Sequence, residues 1–228
     1  MEPEIITVID EIVADDGPGT LADDLGLRPI SPVRRRPPEP LTRDEAEALV
    51  DAPDPRYPTG CRNRALIAVL WRTGIRCAEV LDLRTRDYDP VSGVLRIRSG
   101  KGGKYRQIAL DLACGDLLDR WIVVRREGWG RSEADGGYIF CTRTGERICN
   151  SYVRKLMPRM GKRAKIQKRV HAHGLRHTLA SELAAERVPI NIISKALGHS
   201  SSSTTSRYLD HISPQDVIDT MRQRTWRI

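Results

Sequence analysis

Apolar positions along the chain follow two different periods. Helical spacing comes first. TRDE (42–45) reads as a capping box, in which Thr42 accepts from a first-turn amide and Glu45 reaches back. It predicts a helix to about Val50. ALIAVLW belongs to a second predicted helix over about 60–73, ended by Gly74 as a left-handed C′ residue. A third helix starts near Arg76 and offers Val80, Leu81 and Leu83 to the core. The period then shortens to two. VLRIR (94–98) and YRQIAL (105–110) alternate around the turn SGKGG (99–103), which predicts a β-hairpin with DYD (87–89) as a third strand. Helical spacing returns at about 112–126, and YIF (138–140) reads as a short strand. From 150 onward the pattern is helical, punctuated at Gly161, Gly174 and Gly198. This order predicts a mainly α-helical α+β domain with a small three-stranded antiparallel sheet.

Charge divides the chain further. Residues 1–27 hold eight acidic side chains and no Lys or Arg, which leaves 38 basic against 22 acidic side chains in the rest, or +16. A body this basic, and richer in Arg than Lys, suits a polyanion, most simply nucleic acid. SPVRRRPPEP (31–40) is an extended, proline-stiffened stretch. The expected organisation is an acidic segment (1–27), a Pro/Arg-rich linker (28–40) and a folded domain (41–228) with a short terminal helix at 213–226. No apolar run approaches the roughly 18 residues that a membrane span needs, and the acidic N-terminus does not resemble a secretory signal. The expectation is a cytoplasmic, DNA-associated protein with no membrane partner. Five cysteines at 61, 77, 114, 141 and 149 form no CxxC and are expected to be small buried hydrophobes.

Four stretches carry candidate chemistry. In TGIRCAEVLDL, Arg76 and Glu79 share a helix face, so the carboxylate is placed to hold the guanidinium. Taken alone, the pair reads first as an ordinary surface ion pair. In SGKGGKYRQ the glycines put Lys101 at a hairpin tip; the glycine spacing is not that of a P-loop. In HAHGLRHTLASEL, His173, Arg176 and His177 stand at i, i+3 and i+4, beside an apolar stripe of Leu175, Leu179 and Leu183. His173 and Arg176 are spaced to converge on one anion. His173 and His177 also have zinc-ligand spacing, but no HExxH glutamate accompanies them. In LGHSSSSTTSRYLD, His199 follows a glycine and Tyr208 follows a polar tether. A phenol titrates near pH 10 and attacks poorly unless cations assist it. Arg76, Lys101, His173, Arg176 and His199 are such cations and donors, the set that phosphoryl transfer uses to stabilise charge on non-bridging oxygens.

Together and in this order, the four stretches resemble the catalytic domain of the tyrosine recombinases, the phage-integrase family, over about residues 41–225. The resemblance implies that family's fold and places its catalytic residues on Arg76, Lys101 (rather than Lys104), His173, Arg176, His199 and the nucleophile Tyr208, with Glu79 in support. It implies attack of Tyr208 on a DNA phosphate, a 3′-phosphotyrosyl intermediate, a 5′-hydroxyl protonated by Lys101, and strand exchange within a homotetramer held by the C-terminal segment. No metal, ATP or other cofactor is required by that scheme. Arg34, Arg35 and Arg36 of the linker, with Lys104 and Arg106 of the hairpin, are expected to contact the double-stranded DNA. Relatives usually carry a separate helical DNA-binding domain ahead of the catalytic one, whereas 40 residues, net acidic and Pro/Gly-broken, precede Leu41. That departure leaves room for an accessory DNA-binding protein. It also keeps open a type IB topoisomerase-like enzyme, or a DNA-binding remnant without strand exchange.

Overall fold

The computed structural model describes residues 39–98, 105–129 and 137–198. Helix α1 (Arg43–Asp51) starts as expected: the Thr42 side chain accepts from the Glu45 amide, and Glu45 accepts from the Thr42 amide. Helix α2 (Pro58–Thr73) is the centre of the domain. Its ALIAVL stretch is buried on every side, from Ala65 to Leu70, so it packs in all directions rather than through one stripe. It lies against α1, against α4 (Leu112–Gly128) and against α6 (Ala172–Ala185). Arg72 of α2 ties it to the last two, by ion pairs to Asp111, the N-cap of α4 (2.6 Å), and to Glu182 of α6 (3.2 Å).

Helix α2 ends at Gly74, whose φ of 59° is left-handed. A Cβ there would meet Leu197 Cδ2 at 2.6 Å, so the close approach of α7 (Ile190–Leu197) also requires glycine. Helix α3 (Cys77–Asp82) follows at once, with Arg76 as its N-cap. The sheet then runs β1 (Tyr88–Asp89), β2 (Val94–Arg98) and β3 (Tyr105–Ala109), antiparallel and in that order. In the β2–β3 register Leu95 faces Ile108 and Ile97 faces Arg106. Helix α5 (Asn150–Arg163) packs against α1, α3 and α6. No helix among the described residues is long and apolar enough to cross a membrane.

Three sequence expectations change. YIF is not a strand of the sheet: Tyr138 makes one isolated antiparallel bridge with Arg84, Ile139 N–H donates to Leu83 O, and Trp121 Nε1 donates to Ile139 O at 2.7 Å. Ile139 and Phe140 are apolar because they are fully buried, not because they pair in a sheet. Gly161 and Gly174 lie inside α5 and α6 rather than between helices. Gly161 admits Val170, whose Cγ2 a Cβ would meet at 2.6 Å, and Gly174 admits the His171 ring. Cys149 is exposed, whereas Cys114 and Cys141 are buried as expected. Lys101, Lys104, His199, Tyr208, Arg34, Arg35, Arg36, the acidic segment and the 213–226 helix lie outside the described residues.

Candidate active site

The site is assembled around one buried side chain. Arg176 lies in the second turn of α6 and is 1% exposed. Its Nη1 donates to two carbonyls, Gly74 O and Leu197 O, each at 2.8 Å. Gly74 stands two residues before Arg76, and Leu197 two residues before His199. The guanidinium therefore closes two helix ends, those of α2 and α7, onto α6. Arginine suits this task because its planar fork supplies several donors in a fixed geometry. The chain is led out of Leu197 by Gly198, in the left-handed conformation at φ 76°. Three of the four stretches singled out in the sequence thus meet at Arg176.

The hairpin stretch is attached by a second arginine. Arg106 of β3 donates from both terminal nitrogens to Glu79, Nη1 to Oε1 at 2.9 Å and Nη2 to Oε2 at 2.6 Å. Bidentate pairing of this kind is the strongest form of Arg–carboxylate contact. Glu79 also accepts the Arg76 backbone N–H at 3.0 Å, with Arg76 Nη1 3.5 Å from its other oxygen. Burial alone would raise the Glu79 carboxyl; the Arg106 hydrogen bonds and the Arg76 amide outweigh it and hold the group below the usual carboxylate range. The face of Arg106 is turned to the turn after α7: a Cβ on Gly198 would meet its Cζ at 2.6 Å. Arg106 therefore does not project into solvent to meet a phosphate, as the sequence suggested. It joins the hairpin, α3 and the Gly198 turn. The sequence carried a signal for this: Arg106 has the parity of Ile108 on β3, the face that meets buried Leu95 and Ile97. The expected Arg76–Glu79 pairing is present, but Glu79 is held more closely by Arg106.

His173 lies one turn before Arg176, and its ring meets His177 edge-on at 4.9 Å between centroids. His171 completes a run of three rings, 6.5 Å from His173. Burial, followed by the charges of His173, His171 and Arg176, pushes His177 down to about 4. A buried, neutral imidazole has a pH consequence. The unfolded chain binds a proton there near pH 6.5, whereas the folded chain does not until about 4. The stability it represents is complete above pH 6.5 and is lost as pH falls from 6.5 towards 4. His171 is also depressed, by burial, and adds to the same slope. The melting temperature of the wild-type chain is therefore expected to fall across this window, and His177→Asn to fall less steeply. Equal slopes in the two proteins would remove His177 from the account.

A cavity of about 860 Å³ opens beside these residues, between α5 and the 164–173 segment, with Cys77 and His173 among its lining residues. Burial pushes the Cys77 thiol up to about 11, so it is a poor nucleophile. The exposed side chains of Arg154, Lys162, Lys165 and Arg169 also line the cavity. What the geometry brings together is thus a fixed guanidinium, a second arginine oriented by a carboxylate, an imidazole and a basic approach. Such a set is complementary to a phosphate whose negative charge increases during reaction.

The fold and this constellation define a class. A model of the Phage integrase family matches residues 39–213, and the chain belongs to that family. It is 34% identical over 174 residues to the tyrosine recombinase XerD of Ralstonia nicotianae, covering 76% of this chain and 56% of that one. It is 30% identical over 189 residues to the tyrosine recombinase XerC of Thermodesulfovibrio yellowstonii, covering 82% and 62%. The chain thus spans under two thirds of the length of these curated relatives. Among solved structures, XerA recombinase superposes with a TM-score of 0.66 at 30% identity, over 90% of this chain and 73% of that one. XerH site-specific recombinase, bound to difH substrate in a pre-cleavage complex, superposes with a TM-score of 0.63 at 29% identity, over 79% and 52%. The fold predicted from the sequence, a tyrosine-recombinase catalytic domain with a three-stranded antiparallel sheet, is the one observed.

Proposed function

We propose that this chain is a site-specific DNA recombinase that breaks and rejoins strands through a 3′-phosphotyrosyl intermediate. The observation that carries the reading is the double clamp at Arg176, by which a single side chain holds the carbonyls of Gly74 and Leu197, residues that lie in the Arg76 and His199 stretches of the sequence. In this scheme Arg76, Arg176 and His199 hold the phosphate oxygens, and Tyr208 attacks phosphorus. The P–O5′ bond breaks, and Lys101 gives a proton to the departing 5′-oxygen. His173 takes the phenolic proton. A 5′-hydroxyl of another strand then attacks the phosphotyrosine, and the phenol is regenerated. The phosphodiester energy is kept in the covalent link, so the scheme is balanced without ATP. The role given to His173 is supported by its position on the same helix as Arg176, three residues away.

Double-stranded DNA is the proposed partner, supported by the basic groove that His173 also lines. Assembly into a homotetramer through residues 213–226, with Val217, Ile218 and Met221 as an apolar face, belongs to the same proposal. So does an origin in a phage or another mobile element. Two differently labelled duplexes, taken from the DNA flanking the gene, test the activity. Recombinant strands joining the two labels are the expected product. Relaxation of supercoiled plasmid without any exchange would instead indicate the topoisomerase-like alternative.

A further inference from the structure

We propose that the acidic segment 1–27 docks in cis in the basic groove between α5 and the 164–173 segment and competes there with DNA. The proposal rests on the DNA reading above for its consequence, but not for the contact itself.

The groove is unusual in charge. Between Asn150 and His173 the chain has eight Lys and Arg side chains and no Asp or Glu. Arg154, Lys162, Lys165, Lys168 and Arg169 of that set line the cavity. Residues 1–27 have the opposite composition: Glu2, Glu4, Asp10, Glu11, Asp15, Asp16, Asp23 and Asp24, with no Lys or Arg. Two segments of opposite and unmixed charge on one chain attract at short separation, where salt screens little.

The fold fastens the first described residues at the groove. Lys168, one of the lining residues, donates to Pro40 O at 3.0 Å and pairs with Glu39 at 3.1 Å and Glu45 at 2.9 Å. Leu41 N–H donates to Thr178 Oγ1 of α6 at 3.0 Å. The start of the described domain is therefore fastened at the edge of the groove, and Glu39 already supplies one carboxylate to it. Eleven residues, 28–38, separate the acidic segment from this point. Fully extended they reach at most about 40 Å. Arg34, Arg35 and Arg36 in that tether have the groove's own sign and cannot fill it.

The test compares the full chain with a variant in which all eight acidic side chains of residues 1–27 become their amides (Glu2→Gln, Asp10→Asn and the corresponding changes). Amine acetylation without DNA, read by mass spectrometry, reports on the contact. Lys162 and Lys165 are expected to label several-fold faster in the variant, with exposed Lys195 on α7 unchanged as the internal reference. Binding to a random-sequence duplex is expected to be about tenfold tighter in the variant at low salt, and the difference to shrink as salt rises. Equal labelling of Lys162 and Lys165 in both proteins overturns the proposal whatever the affinities, because a change in net charge alone can alter affinity. Faster labelling with no DNA binding by either protein supports the docked contact and overturns the DNA reading instead.

Discussion

Replacing Arg176 with lysine is expected to slow DNA strand cleavage by roughly 10²–10³-fold, the range for losing one preorganised donor at a developing oxyanion. The chain is expected to remain folded. Lysine keeps the positive charge and enough length to reach one of the two carbonyls. What it loses is the second nitrogen. The guanidinium holds Gly74 O and Leu197 O through Nη1, and its planar fork carries further nitrogen donors to face a phosphate; an ammonium that satisfied those carbonyls would have no other nitrogen to offer. The loss is therefore expected in the cleavage rate far more than in DNA affinity, because affinity is dominated by many phosphate contacts. Rates of covalent-adduct formation at saturating protein, with duplex affinity measured alongside, separate the two. A large loss of affinity with an unchanged cleavage rate would assign Arg176 to DNA binding instead.

The second large effect concerns stability. Arg106→Met is expected to lower the free energy of unfolding by about 3 kcal/mol, because it leaves Glu79 buried without its bidentate partner. The Glu79 side chain is only 9% exposed and Arg106 15%, so water cannot readily replace the lost donors. Adding Glu79→Gln to Arg106→Met is expected to recover part of the loss, since no charge then remains to be desolvated. Urea midpoints at constant m-value measure both changes. A single variant within about 0.5 kcal/mol of wild type, the range of ordinary surface substitutions, would show that the pair is not a tie between hairpin and helix.

The sequence was most legible where local chemistry acts alone. Thr42 and Glu45 announce α1 because a capping box is satisfied within four residues, and Gly74 and Gly198 announce helix ends because few other residues adopt their φ. The alternation of β2 and β3 appears at the expected positions because one face of the hairpin is buried. Legibility failed where a residue answers to a distant partner. Gly161 and Gly174 look like breaks, yet they are small in order to admit Val170 and His171. Arg106 looks like a surface cation, yet it serves Glu79, 27 residues away. Arg62 gave no sign at all; it is buried, donating to Cys141 O at 2.8 Å and to the Tyr152 hydroxyl at 2.6 Å. The candidate site followed the same division. Its residue types could be picked from motifs, whereas the Arg176 clamp that draws three of the motifs together depends on helix packing that no local pattern encodes.

The most direct measurement is the trapping of a covalent protein–DNA adduct. Nicked suicide duplexes from the DNA flanking the gene are incubated with the full chain, and linked species are resolved on denaturing gels. The wild-type chain is expected to form an adduct whose DNA carries a free 5′-hydroxyl and whose peptide link maps to Tyr208. Tyr208→Phe is expected to form none while binding the same duplex. An adduct of undiminished yield in Tyr208→Phe, or one that maps to another residue, would contradict the account.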